Sequence, residues 1–85
     1  MEIEYSPEFA RCFKKLSHEL KLIALKKEKI FRKNYLDSRL KTHKLHGKLS
    51  GKLAFWIDFK NRIIFSFIDS KKVRFYSVGS HDVYK

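Results

Sequence analysis

The stretch Gly79-Ser80-His81-Asp82-Val83-Tyr84-Lys85 sets an imidazole and a phenol three positions apart, directly after a glycine that closes an apolar, strand-like run. Histidine changes charge near neutral pH and can move a proton, while tyrosine can stack on a base or hold a phosphate oxygen. In a strongly basic chain, such a pair suits the handling of a phosphate backbone. The plain alternative is a polar terminal tail. His43 and His46 also lie three apart, but they lack the nearby cysteines or clustered carboxylates of a zinc site, so no metal and no cofactor is expected. No glycine-rich phosphate loop, nucleophile elbow or pair of carboxylates supports another enzyme class.

Charge carries the strongest compositional signal. Twenty Lys and Arg against nine Asp and Glu give a net charge of +11 over 85 residues. The excess is uneven: between Arg11 and Lys52 fourteen basic residues face only Glu19, Glu28 and Asp37. Such a surface attracts polyanions by counterion release and long-range steering. Nucleic acid or an acidic protein is the expected partner, ahead of a membrane, which would favour a helix with a wide apolar face. The longest apolar run, around Ile63-Ile64-Phe65, is too short to span a bilayer. Met1-Glu2-Ile3-Glu4-Tyr5 is acidic and alternating, unlike a signal peptide. With a single cysteine, Cys12, no disulfide framework exists, and Cys12 reads as a small core residue in a helix. A cytoplasmic protein with one domain over 1–85 is the expectation.

Several elements must position these groups. Glu2 to Tyr5 alternates and predicts a short strand. Ser6-Pro7-Glu8 reads as a helix start, followed by Phe9, Phe13 and Leu16 at helical spacing. After a break near Ser17-His18, the apolar stripe Leu20, Ile23, Ala24, Ile30 and Phe31 predicts a second helix, with Lys26, Lys27, Lys29, Arg32 and Lys33 largely opposite it. The two are expected to form a helical hairpin. Residues 37–51 read as a basic loop punctuated by Gly47 and Gly51. Strands follow at Leu53 to Phe59, Arg62 to Ile68 and Val73 to Val78, the second nearly all apolar and therefore central. Lys60-Asn61 is expected to be a tight hairpin turn and Asp69-Ser70-Lys71-Lys72 a longer one. The order β-α-α-β-β-β predicts an α+β fold, a helical hairpin packed on an antiparallel sheet.

Three segments form a connected pattern: Thr42-His43-Lys44-Leu45-His46-Gly47-Lys48-Leu49-Ser50-Gly51, then Asn61-Arg62-Ile63-Ile64-Phe65, then Gly79 to Tyr84. In their order, spacing and size they resemble the RelE/ParE superfamily of toxins from type II toxin–antitoxin modules, over the whole chain, and most of all its histidine-bearing YafQ-like members. The resemblance implies the RelE-like microbial RNase fold and a ribosome-dependent mRNA endoribonuclease working without metal. The substrate's own 2′-OH attacks the adjacent phosphate, which calls for a base, a cation on the phosphate and an acid for the leaving oxygen. It further implies a cognate acidic antitoxin, contact with mRNA and 16S rRNA on the ribosome, and operator DNA bound only through the antitoxin complex.

The same resemblance assigns roles. His81 falls where members place a catalytic His or Arg after the last strand. Arg62 opens the central strand where a phosphate-stabilising arginine is found, a task suited to its planar fork. His43 matches the histidine of the H-x-L-x-G loop, and Tyr84 the aromatic that closes the chain. Lys44, Lys48, Lys52, Lys60 and Trp56 are expected to contact RNA, Trp56 as a stacking surface. The pattern departs on one strand: Trp56 and Asp58 stand where RelE-type members have catalytic lysines and YafQ-like members a histidine. Lys60 stands near where the latter have an aspartate. Chemistry therefore rests on His43, Arg62 and His81, with Lys52 or Lys60 assisting. Two rival readings share the fold or the charge: a non-enzymatic ParE-type inhibitor of DNA gyrase, and a plain RNA-binding module.

Overall fold

Capping chemistry places both helices where the sequence predicts them. In the computed structural model, which describes residues 1–80, strand β1 (Glu2–Tyr5) leads into α1 (Pro7–Lys14) and α2 (His18–Lys33). The Ser6 Oγ accepts the Phe9 N–H at 2.9 Å, and Ser17 Oγ accepts the Leu20 N–H at 3.2 Å, each closing a donor that the first helical turn leaves open. Ser6 does more than cap. Its hydroxyl also donates to the Tyr76 carbonyl at 2.8 Å, tying the start of α1 to β5, the strand beside β1.

The sheet differs from expectation in three ways. First, it has five strands in the order β1-β5-β4-β3-β2, because His43–Lys44 forms a short strand, β2, within the segment read as loop. β2 pairs with β3 (Leu53–Trp56), His43 opposite Ala54 and Lys44 opposite Leu53. Secondly, the sheet is mixed rather than antiparallel, since β1 runs parallel to β5 (Lys72–Gly79). Thirdly, the two hairpin turns exchange lengths. β3 stops at Trp56, short of Phe59, and a loop over 57–61 leads to β4 (Arg62–Asp69). Between β4 and β5, Asp69 already pairs with Lys72, so only Ser70 and Lys71 turn the chain. The apolar strand β4 is central, as its composition predicts.

Both helices pack on one face of this sheet. Phe31 from α2 is fully buried against Phe55 (ring centres 4.9 Å), Phe65 (4.9 Å) and Phe75 (5.3 Å). Phe9 and Ala24 complete the helix contribution, and Cys12, Phe13, Leu16, Leu20 and Ile30 pack around the core. Ile23 does not join them: it is exposed, its position on α2 turned towards solvent. Burial of this aromatic cluster is the main stabilising term for so small a fold. No helix among the described residues is long and apolar enough to cross a membrane.

Candidate functional site

Strand alternation assigns a second set of side chains to the face of the sheet away from the helices. Ile63 and Phe65 of β4 belong to the helix-side core, which turns their neighbours Arg62, Ile64 and Ser66 to the opposite side. Register then lines up three rows. Trp56, Arg62 and Gly79 form one, His43, Ala54, Ile64 and Ser77 the next, and Ser66 and Arg74 a third. Between the last two rows the register of β5 slips, and Tyr76 is the extra residue of a β-bulge, a device that re-aims a side chain.

Arg62 is held more firmly than a surface arginine. Its Nη1 donates to the carbonyls of Asp58 (2.9 Å), Phe59 (2.9 Å) and Asn61 (3.3 Å). Its guanidinium carbon lies 4.0 Å from the centre of the Trp56 ring, a cation–π contact. The loop supplying those carbonyls is itself fixed by Asp58, whose Oδ1 accepts from the N–H of Lys60 (2.9 Å), the N–H of Asn61 (2.7 Å) and Asn61 Nδ2 (3.0 Å). Partial burial pulls the Asp58 carboxyl up, but the Asn61 and Lys60 hydrogen bonds and the Arg62 charge outweigh it and leave it below its usual range. Only Nη1 of the fork is used by this network. Among the described residues Nε and Nη2 meet no acceptor, which leaves donors for two oxygens of an anion such as a phosphodiester.

His43 is exposed on β2, and its Nδ1 lies 3.0 Å from the Lys41 carbonyl. A carbonyl only accepts, so Nδ1 carries the proton, and in the neutral ring Nε2 keeps its lone pair for a substrate. Lys41 sits in the left-handed region at φ 51, unusual for a residue with a side chain, and this turn aims its carbonyl at His43. Its ammonium reaches over the Trp56 ring at 5.4 Å. The Trp56 backbone N–H donates to the Leu40 carbonyl at 2.7 Å, binding the 37–42 segment to the end of β3. By strand and residue spacing, the α-carbons of His43 and Arg62 are roughly 12 Å apart on one face.

The structure therefore brings His43, Trp56 and Arg62 together. His81 and Tyr84 lie outside the described residues, although Gly79, which opens their segment, pairs directly with Arg62. Trp56 is half-buried and carries cations on its ring, so in this structure it is a platform for Arg62 and Lys41. Lys52 borders the face, with its ammonium 4.7 Å from the Tyr76 ring centre. Lys60 is exposed in the loop that holds Arg62, and Lys48 is exposed in a 3₁₀ turn over Gly47–Leu49. Lys44 alternates to the other side of β2 from His43. Sequence reasoning missed Lys41, Arg74 and Tyr76. For Tyr76 and Arg74 the signal was present, since both occupy alternate, outward positions of β5. For Lys41 it was absent, because nothing local announces its positive φ. Among the described residues, no three His, Cys, Asp or Glu side chains gather as a metal would need.

No protein-family model and no curated protein matches the chain. Solved structures do. YafQ from E. coli strain BL21(DE3) superposes with a TM-score of 0.73 at 23% identity, over 98% of this chain and 96% of that one. A YoeB/ParE toxin from Agrobacterium tumefaciens gives 0.79 at 10% identity, over 95% and 99%. The heterotetrameric YoeB–YefM toxin–antitoxin complex from Staphylococcus aureus gives 0.76 at 20% identity, over 95% and 97%. The chain has the α+β fold of these RelE-like toxins.

Proposed function

We propose that this protein is the toxin of a toxin–antitoxin pair and that it cleaves mRNA on the ribosome. The observation that carries the reading is the immobilised Arg62 fork on the same sheet face as a tautomer-fixed His43, in a fold shared with the YafQ and YoeB toxins. In the proposed step, His43 Nε2 takes the proton of a ribose 2′-OH. The freed oxygen forms a bond to the adjacent phosphorus, and the bond from phosphorus to the 5′ oxygen breaks. Arg62 holds the non-bridging oxygens as charge builds on them, and His81 supplies the proton that leaves with the 5′-OH. A cyclic phosphate and a 5′-OH result, so no water or metal is consumed.

The partner follows from charge. A chain at +11 is suited to an acidic antitoxin that covers its basic surface, as the YoeB–YefM assembly pairs a similar fold with an antitoxin. A cell-free translation reaction programmed with one mRNA tests the reading, read beside a gyrase supercoiling reaction. Loss of synthesis with cut message, and unaffected supercoiling, is the expected result. Blocked supercoiling with intact message would establish the gyrase-inhibitor alternative instead.

A further inference from the structure

A second cluster lies beside the bulge in β5, on the sheet face away from the helices and apart from Arg62 and His43. Tyr76 Oη and Ser66 Oγ lie 2.9 Å apart. Two hydroxyls carry two protons, and their mutual hydrogen bond uses one, leaving one O–H with no acceptor among the described residues. Two cations flank the ring: Lys52 Nζ at 4.7 Å and the Arg74 guanidinium at 5.8 Å from its centre. Arg74 is paired with Glu4, whereas Lys52 makes no ion pair with any described residue. Lys52 also lines a hollow of about 290 Å³ with Lys44, His46 and Ser50, and no carboxylate borders it. Ser66 is four residues beyond Arg62 on β4, roughly 13 Å at the rise of a strand.

We propose that Lys52, Tyr76 and Ser66 form a second phosphate subsite, which holds a phosphodiester of single-stranded RNA that flanks the one placed at Arg62. It rests on the RNA-cleaving reading above and extends it: the protein grips its message at two phosphates along one sheet face. Lys52 supplies the charge, held in place by the Tyr76 ring, and the spare hydroxyl proton supplies direction.

Binding of a short, fluorescently labelled RNA with every ribose 2′-O-methylated tests this, because that probe cannot be cut. Anisotropy titrations of the full chain over a range of potassium chloride concentrations give both affinity and salt slope. Lys52→Gln lowers the slope of log affinity against log salt by about 0.7, one phosphate contact on a single strand. Tyr76→Phe keeps the ring and loses the hydroxyl, weakening binding about threefold to tenfold with the slope unchanged. Lys14→Gln, on α1 in the helix layer, changes neither, and thermal melts confirm that all three variants fold. Equal slope losses for Lys14→Gln and Lys52→Gln, or full affinity in Tyr76→Phe, overturn the subsite while leaving RNA binding intact. Failure of the unaltered protein to bind the probe overturns the RNA reading and the subsite with it.

Discussion

The Arg62 guanidinium sits 4.0 Å from the centre of the Trp56 ring while one of its nitrogens is spent on three carbonyls of the hairpin loop. The side chain is thus ordered before any ligand arrives, and its remaining donors do not have to be organised during a reaction. Arg62→Ala is expected to lower RNA cleavage by about 10²- to 10³-fold. Arg62→Lys recovers little, because a point charge cannot reproduce the fork. Trp56→Ala falls between, and Trp56→Tyr, which keeps a ring beneath the cation, lies nearer the parent. Single-turnover cleavage of one message on stalled ribosomes orders the four variants against the parent.

His43 acts through Nε2 in this account, so loss of the imidazole should slow the chemical step without loosening RNA. His43→Gln is expected to cut the cleavage rate by about 10²-fold while affinity for the 2′-O-methylated probe stays the same. A parallel loss of affinity would make His43 a binding residue instead.

Asp58 gives the loop beneath Arg62 a pH dependence of definite sign. Its folded carboxyl lies below its usual range, so the charged form stabilises the native state. That contribution is fully present above the ordinary aspartate value, about 3.9, and is lost as pH falls through the lower, folded value. Asp58→Ala removes the acceptor of three hydrogen bonds and is expected to cost about 1–2 kcal/mol near neutral pH. The gap between parent and variant, measured by urea unfolding, should narrow as pH is taken well below 4.

How much of this was legible in the sequence depended on whether the cause was local. Ser6 and Pro7 announced the first helix because capping is settled within one turn. The apolar stripe from Leu20 to Phe31 announced the second, whose Ser17 cap reads in the sequence only as a break. The two-residue β2 was illegible, since His43–Lys44 is too short to show a period and is recruited by its pairing with β3. The parallel β1–β5 pair is likewise a long-range fact with no local trace. Turn lengths came out reversed because the Asp58 side chain stabilises a five-residue loop that a Lys-Asn pair does not suggest. Arg62 and His43 were identifiable from their place in a pattern. What fixes them, namely three loop carbonyls and the positive φ of Lys41, was not.

Ser6 links these layers. Its hydroxyl caps α1 and holds the Tyr76 carbonyl at the bulge. Ser6→Ala is expected to cost about 1–2 kcal/mol, at the upper end for a cap because the site is buried. In thermal unfolding, the midpoint of so small a chain drops by roughly 4–8 °C per kcal/mol. A cost below half a kcal/mol would mean that the cap contributes little.

The most direct test of the central claim is a transcriptome-wide map of new mRNA 5′ ends in cells expressing the parent chain, Arg62→Ala or His81→Ala. New 5′-OH ends in register with the reading frame, at codons in the ribosomal A site, are expected with the parent and absent with either variant. Growth arrest with DNA damage and no new mRNA ends would contradict the claim.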